Sequence, residues 1–558
     1  MQKRHSGSAR EADEPIAMLL NVRKLFGILL LQFITYGQAE DILVTVDEGT
    51  LLGTTATSLY NTTYTAFLGI PYAAPPLGAL RFAAPQPAAG WDGVRNATQF
   101  GSDCVQEDGS GSEDCLYLNV YVPGVPEEGA KLPVMFWVHG GGFVRGGGSD
   151  REYGPDFLVS YGVILVTINY RLGALGFLGT GDEVVPGNAG NKDQQLALTW
   201  VQRNIASFGG DPQLVTLFGE SAGAMCASFH LVSPLSAGLF SRIIIQSGNF
   251  IGRPNTLEQA RWNAFRLGSI LGLETNDSQE LVEFLRSRDA VDLGVDHSVF
   301  LTDELKVLFS YGVWSPHVEP NLEGAFLTES SIQTLIDGRF HRVPVMTGVT
   351  SGELGYQILN STEKIEILNS QFVESVAPCL HLSTAEQQQE AALKLREFYF
   401  GNDTISTDDA ESLVNFNNDM MFFEPTDALV RKVAELSDTP VFYYEFDYRG
   451  DIVESTKWGV NHAGDIFVLF VRDDTVCNLD PESEEDQVRR NMVRYWTNFA
   501  KYGNPTPEAD PVIWEPYDNV TRSYMLMQSN FSLAHNKDAE RMDFWYQNVP
   551  LQPYADNF

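Results

Sequence analysis

Basic charge is what this 558-residue chain is short of: 37 Lys and Arg stand against 73 Asp and Glu, a formal net charge of -36. Nucleic acid and anionic membrane surfaces both call for a basic face, so neither is expected as a partner. Five cysteines are too few for a disulfide-held scaffold. There is no HExxH pair and no Gly-rich phosphate loop, and the cysteines are too scattered for a cage, so neither metal nor organic cofactor is expected. No internal repeat, long linker or low-complexity block divides the sequence. With 44% hydrophobic and 20% charged residues, the chain has the composition of a folded protein with a large core.

Long apolar runs are also missing, with one exception near the N-terminus. The run LFGILLLQFIT begins at Leu25, follows Arg23 and Lys24, and precedes Gly37-Gln38-Ala39. Charge, apolar stretch and small residues in that order describe a secretory signal cut after Ala39, and the run falls short of the ~20 residues a membrane span needs. Met18 is a second candidate start, because the residues before it form a polar leader. Losing residues 1–39 removes five basic and three acidic side chains and moves the formal charge from -36 to -38. The C-terminal QPYADNF carries no retention signal and no anchor tail. The expectation is a secreted, extracellular protein without a membrane anchor: a leader and signal over 1–39, then one domain over 40–558. Seven Asn-X-Ser/Thr sites fit that compartment (Asn61, Asn96, Asn276, Asn360, Asn402, Asn519, Asn530), whereas Asn504 is excluded by the proline after it.

Short runs that are apolar almost throughout recur along the chain: Val134–Val138, Val163–Ile168, Val215–Phe218, Ile243–Ile245, Val343–Met346 and Val441–Tyr444. Strands covered on both faces lack alternation, so these predict the centre of a large, mostly parallel sheet. The alternating stretch Asp41–Val46 predicts a small antiparallel edge near the N-terminus. Between the runs lie helical periods. Gln195–Gly209 puts Ala197, Leu198, Val201, Ile205 and Phe208 on one face, and Asp486–Gly503 puts Val488, Met492, Tyr495, Trp496 and Phe499 inward. Strands alternating with helices give an α/β fold.

The strand Val215–Phe218 runs into Gly219-Glu-Ser-Ala-Gly223 and then into the helical AMCASFHLV. A serine flanked two residues away by glycine on both sides, between strand and helix, is lifted out at a sharp turn that side chains at the glycine positions would block. Ser221 is the candidate nucleophile, and the amide of Ala222 faces charge that develops beside it. A second glycine cluster, His139-Gly-Gly-Gly-Phe143, follows Val134–Val138. Gly141 and Gly142 are the candidates to complete an oxyanion hole with Ala222, although a merely flexible loop continuing to Gly148 is the competing reading. His139 belongs to that loop and reads as an orienting or core residue.

A neutral hydroxyl attacks slowly until a base takes its proton. Of nine histidines, His5 is in the leader, and His230, His297, His317, His341, His381 and His535 lack a pattern that sets them beside a strand end. His462, after the strand Val441–Tyr444 and before the apolar IFVLFV, has the favoured position. Glu353, in the loop after Val343–Met346, is the candidate to orient it. The order Ser221, Glu353, His462 is that of α/β-hydrolases.

At this point the residues also match a family. GESAGA and HGGGF, with FLGIPYAAPPLGALRF (67–82), EDCLYLNVYVP (113–123), NYRLGALGFL (169–178), NAGNKDQQLALTWVQRNIASFGGDP (188–212) and IIIQSGN (243–249), make the chain resemble type-B carboxylesterases/cholinesterases over its mature length, and the stretch GVNHAGDIFVLF resembles secreted insect carboxylesterases. The resemblance implies an α/β-hydrolase fold and a small-molecule ester as substrate. It implies Ser221 as nucleophile, Glu353 as acid, His462 as base, and Gly141, Gly142 and Ala222 as oxyanion donors. Glu220 and Ser247 match supporting positions beside the triad. A bridge between Cys104 and Cys115 is also implied, closing the short loop VQEDGSGSED at a gain of ~3 kcal/mol in the chain-entropy model, as are ion pairs Arg81 with Glu113 and Arg171 with Asp193. Cys226 reads as a buried thiol; pairing of Cys379 with Cys477 stays open.

Two departures narrow the substrate. The loop between Cys104 and Cys115 has no aromatic residue to stack on a quaternary ammonium, which argues against choline esters. Glu220 stands where juvenile hormone esterases usually carry Gln. Trp314 falls where the family builds an acyl pocket, and a core role fits it as well. The reading is a secreted serine carboxylesterase working through an acyl-enzyme. A lipase or a hormone or odorant esterase on the same fold is the alternative, and the family's non-catalytic adhesion proteins are a second class, set apart by their loss of the triad retained here. The physiological ester and the oligomeric state are not encoded legibly.

Overall fold

A computed structural model describes residues 42–252, 256–294, 300, 313–380, 382–507 and 510–552. The segment 1–39 expected as leader and signal, together with His5, His297 and His381, lies outside them. The strands are β1 (Ile42–Val46), β2 (Gly49–Thr57), β3 (Thr63–Pro71), β4 (Val94–Asn96), β5 (Tyr117–Pro123), β6 (Leu132–Val138), β7 (Ile164–Ile168), β8 (Gly210–Glu220), β9 (Arg242–Gln246), β10 (Val345–Thr350), β11 (Val441–Phe446), β12 (Ser455–Thr456), β13 (Gly459–Val460), β14 (Ser523–Met527) and β15 (Phe531–His535). Thirteen of them form one sheet in the order β1-β2-β3-β5-β7-β6-β8-β9-β10-β11-β14-β15, with β4 beside β2. From β7 to β14 every neighbouring pair is parallel. The rim from β1 to β5 is antiparallel apart from β4, and so is the β14–β15 pair. This is the α/β-hydrolase architecture expected from the sequence.

The absence of alternation in the central strands has its reason in the two cores. Along β6, Val134, Phe136 and Val138 enter one apolar cluster, while Met135 and Trp137 enter another on the opposite face. On β9, Ile243 and Ile245 divide from Ile244 in the same way. The first layer is completed by the helices Ala189–Asn204 and Ala222–Val232, the second by the helix Glu484–Tyr502. Each large apolar side chain buried this way contributes ~1.5–3 kcal/mol.

Two elements differ from the sequence expectation. The helix read from Gln195 begins at Ala189. Its first residues escape a hydrophobic pattern because the buried positions are polar: Asn191, Lys192, Asp193 and Gln194 are all buried. Asp193 takes Arg171 in a two-pronged pair at 2.8 and 2.7 Å, and Lys192 meets Glu319 at 2.5 Å. The apolar run Val343–Met346 covers only the start of β10, which continues through Thr350 and so delivers Glu353 three residues beyond its end.

Cys104 and Cys115 are bonded. Arg81 holds Glu113 through two hydrogen bonds of 2.6 Å. Cys226 is buried, and Cys477 is a free thiol, so it does not pair with Cys379.

Candidate active site

The parallel strands end on one edge, and the candidate residues follow those ends: the glycine loop after β6, Ser221 after β8, Ser247 after β9, Glu353 after β10. Crevices at the carboxyl ends of parallel strands are where open α/β sheets bind ligands. His462 comes from further on, behind the hairpin β12–β13, and is carried to the same edge by a bridge between Asn461 and Glu353.

The local folding at Ser221 is steric. Its φ and ψ are 57° and -124°, a combination that costs a non-glycine residue of order 1–3 kcal/mol and is tolerated at functional sites. A Cβ on Gly223 would lie 2.1 Å from the carbonyl oxygen of Val138, and one on Gly219 would lie 2.6 Å from the backbone of Gly223. Both glycines exist because strand, turn and helix meet at backbone contact. Positive φ recurs around the serine, at Phe143, Ser247, Glu353 and Ala463.

The structure brings Ser221, His462 and Glu353 together. The Ser221 hydroxyl donates to His462 Nε2 at 2.7 Å, and His462 Nδ1 donates to Glu353 Oε2 at 2.5 Å. Glu353 is fully buried, and its other oxygen accepts from Ser247 Oγ at 2.7 Å and from the Thr350 amide at 2.9 Å. A carboxylate so engaged can only turn one way, which fixes the imidazole tautomer.

Glu220 is buried with Oε1 at 3.2 Å from His462 Nε2, and among the described residues that oxygen has no hydrogen-bond partner. Burial pushes its carboxyl well above the ordinary range, opposed by the imidazole beside it. Burial pulls His462 down, but the carboxylates of Glu220 and Glu353 outweigh it and hold the imidazole above its ordinary 6.5. His139 goes the other way: burial lowers it to about 4, its Nδ1 faces the Gly140 carbonyl at 2.8 Å, and its ring stacks on Tyr170. It is neutral and locked in the loop.

Ser221, His462, Gly141, Gly142 and Ala222 all line one cavity of about 360 Å³. Among the described residues, no protein group accepts the N–H of Gly141, Gly142 or Ala222. Of the described histidines, only His462 lines this cavity. Trp314 does not: it is buried edge-on against Phe300, and its neighbour Ser315 reaches the wall instead.

Sequence reasoning missed Phe422, whose ring packs 4.8 Å from that of His462. It sits in a π-helical turn, Asp419–Phe423, which has no sequence signature. Also missed was the buried Asp465, which accepts from Gln246 Nε2 and Tyr444 OH, each at 2.9 Å, beneath the His462 loop. An acid three residues after the base was visible, but its partners were not.

Comparison with known proteins gives the family. Residues 40–545 match the family described as the Carboxylesterase family. A juvenile hormone esterase of Tribolium castaneum is 32% identical over 561 residues, spanning 92% of this chain and 95% of its own length. A carboxylic ester hydrolase of Bombus ignitus is 33% identical across 93% of this chain and 97% of itself, and a cholinesterase of Mus musculus is 34% identical across 93% and 89%. With a match of that extent, the chain belongs to the carboxylesterase family and is a carboxylic ester hydrolase of the serine type.

Proposed function

We propose that the protein is a secreted carboxylesterase that cleaves small-molecule esters through an acyl-enzyme on Ser221. Ser221 Oγ attacks the ester carbonyl carbon while His462 Nε2 takes the hydroxyl proton. The carbonyl oxygen, now an anion, is received by the N–H groups of Gly141, Gly142 and Ala222. His462 returns the proton to the departing alkoxide, and the C–O bond breaks to leave the acyl-serine and an alcohol. A water, activated by the same imidazole, attacks the acyl carbon and frees the acid and Ser221. Glu353 holds the imidazole and stabilises its positive charge throughout. Ser247 and Glu220 act through these groups.

The observation that carries this reading is the unbroken line of hydrogen bonds from Ser221 through His462 to the buried Glu353, opening on a cavity with unclaimed backbone donors. A single domain over 40–558, preceded by a cleaved signal over 1–39, belongs to the same proposal. All seven sequon asparagines are exposed, which supports glycosylation on export. The aromatic-free disulfide loop supports an ester other than a choline ester.

A fluorophosphonate probe tests the mechanism. Labelled protein digested for mass spectrometry should carry the adduct on Ser221, and Ser221→Ala should lose both label and at least ~10³-fold of its turnover of p-nitrophenyl acetate while keeping its melting temperature. Labelling elsewhere, or turnover that survives the substitution, refutes it. Enzymatic deglycosylation of protein exported from eukaryotic cells should lower its mass, and N-terminal sequencing of the same exported protein should begin at Glu40; an unchanged mass removes the glycosylation assignment, and an unprocessed N-terminus removes the signal assignment.

A further inference from the structure

The Gly141 and Gly142 amides lie on a loop that is neither helix nor strand. The inner leg of this loop is fixed by β6. Its turn closes on Gly141, whose carbonyl accepts from the amides of Val144 at 3.2 Å and Arg145 at 3.1 Å. Gly141 has φ +102°, and a Cβ there would lie 2.2 Å from the Arg145 carbonyl oxygen, so the orientation of its peptide depends on where residues 144–146 are held. Among the described residues no sheet ladder holds them. They are bound instead to the disulfide loop. Gly146 exchanges two hydrogen bonds with one side chain, its N–H donating to Gln106 Oε1 at 2.6 Å and its carbonyl accepting from Gln106 Nε2 at 3.0 Å. The same Nε2 donates to the Cys104 carbonyl at 2.7 Å. The Glu107 amide donates to the Val144 carbonyl at 3.0 Å. Cys104 is in turn tied to Cys115 by the disulfide.

A carboxamide that takes both the N–H and the C=O of one glycine does the work of a strand neighbour in a stretch that has none. Glycine-rich backbone rotates freely unless restrained, and an oxyanion donor is effective only where it already points at the developing charge.

We propose that Gln106 is a positioning residue for the oxyanion hole: clamped to the disulfide loop, its carboxamide fixes the outer leg of the glycine loop and thereby aims the Gly141 and Gly142 amides. The inference rests on the reading of those amides as oxyanion donors. Its consequence is specific. Loss of the clamp raises the transition state and leaves ground-state binding of the ester nearly as it was.

The test compares the full-length wild type with Gln106→Leu, which keeps the bulk and removes all three side-chain hydrogen bonds, and with Gln106→Glu, which keeps the acceptor for Gly146 N–H and removes the donor. The concentration of active sites is titrated with a fluorophosphonate, so that misfolded protein is not counted. The readouts are kcat and KM for p-nitrophenyl acetate and the inhibition constant of an aryl trifluoromethyl ketone, which adds to the serine and places an oxyanion in the hole. Removing a whole donor slows turnover about 10²–10³-fold, so a misaimed pair in Gln106→Leu should lower kcat about 10- to 100-fold. KM should stay within about threefold, and ketone inhibition should weaken by the same factor as kcat. Gln106→Glu should fall between, and it carries the test alone if Gln106→Leu does not accumulate. A kcat per active site equal to wild type, or a ketone affinity unchanged while kcat falls, overturns the inference. Wild-type protein that is labelled on Ser221 but not inhibited by the ketone overturns the oxyanion reading itself, and this inference with it.

Discussion

Ser221 is held by its immediate neighbours, whereas the groups that serve it are held across the fold. The turn is fixed by Gly219, Gly223 and the strand end at Val138, contacts set by backbone sterics. Glu353 is held by Ser247, 106 residues away in the chain, and grips His462, 109 residues away; His462 in turn meets Ser221 across 241 residues. The contrast is between a geometry that hard contacts dictate and one that hydrogen bonds adjust. Hard contacts leave a sequence signature and tolerate no change. Hydrogen-bonded side chains leave little signature and degrade by degrees.

Gly223→Ala is the sharpest way to break the local half. A methyl 2.1 Å from the Val138 carbonyl oxygen and 2.7 Å from that of His139 meets backbone on both counts, with no flexible side chain able to yield. Overpacking usually costs 1–3 kcal/mol, and an unyielding backbone contact should cost at least ~3 kcal/mol. Relieving the clash would push β6 away from the serine turn, and the glycine loop moves with it. Turnover of p-nitrophenyl acetate should fall by about 10³-fold or more, together with a melting temperature several degrees lower. Near-normal turnover in this variant would show that the turn is not set by backbone contact.

Ser247→Ala probes the long-range half, and its effect should be graded. It removes one of two hydrogen bonds to Glu353 Oε1 and leaves the Thr350 amide in place. A hydrogen bond to a charged group is worth ~1.5–3 kcal/mol. If about half is felt in the transition state, kcat falls about three- to tenfold with KM unchanged. A loss as large as that of Gly223→Ala would erase the distinction between the two halves.

The same distinction explains what could be read in advance. The central strands were legible because both faces of each are apolar, and the serine turn because two glycines stand at the only spacing it allows. The start of the helix at Ala189 was not, because its buried Lys192 and Asp193 are matched to Glu319 and Arg171, partners no local window contains. Glu353 could be picked only by its place after a strand and by chain order: a lone glutamate in a loop looks the same whether it is solvated or fully buried. Phe422 was hidden for a related reason. Its contact with His462 arises from a π-helical turn and a tertiary approach, not from a periodic face.

The smallest change sits where the halves meet. Glu220 is the last residue of β8, fixed by the local turn, yet its carboxyl acts on His462, which arrives from the far end of the chain. Glu220→Gln keeps the shape and removes an ionisable carboxyl 3.2 Å from Nε2. The sign of the effect follows from the imidazole. In the native protein, the carboxylates of Glu220 and Glu353 favour the protonated ring against the pull of burial, so its pKa lies above 6.5. A protonated imidazole cannot accept the serine proton, so kcat/KM should rise with pH along an acid limb centred above 6.5. Because the folded value is raised, these contacts stabilise the fold fully below the free imidazole value and cease to do so as pH climbs through the raised one. Removing the Glu220 carboxyl withdraws one of three acidic supports, Glu353 and Asp465 being the others, so the limb should move toward lower pH, and activity near pH 6 relative to the plateau should increase. The plateau should change less than tenfold, since Glu353 still orients the ring. A limb that stays in place would mean that Glu220 is already neutral and that Glu353 and Asp465 set the proton affinity of His462. The measurement therefore decides whether the residue beside the nucleophile belongs electrostatically to the turn that holds it or to the base that it faces.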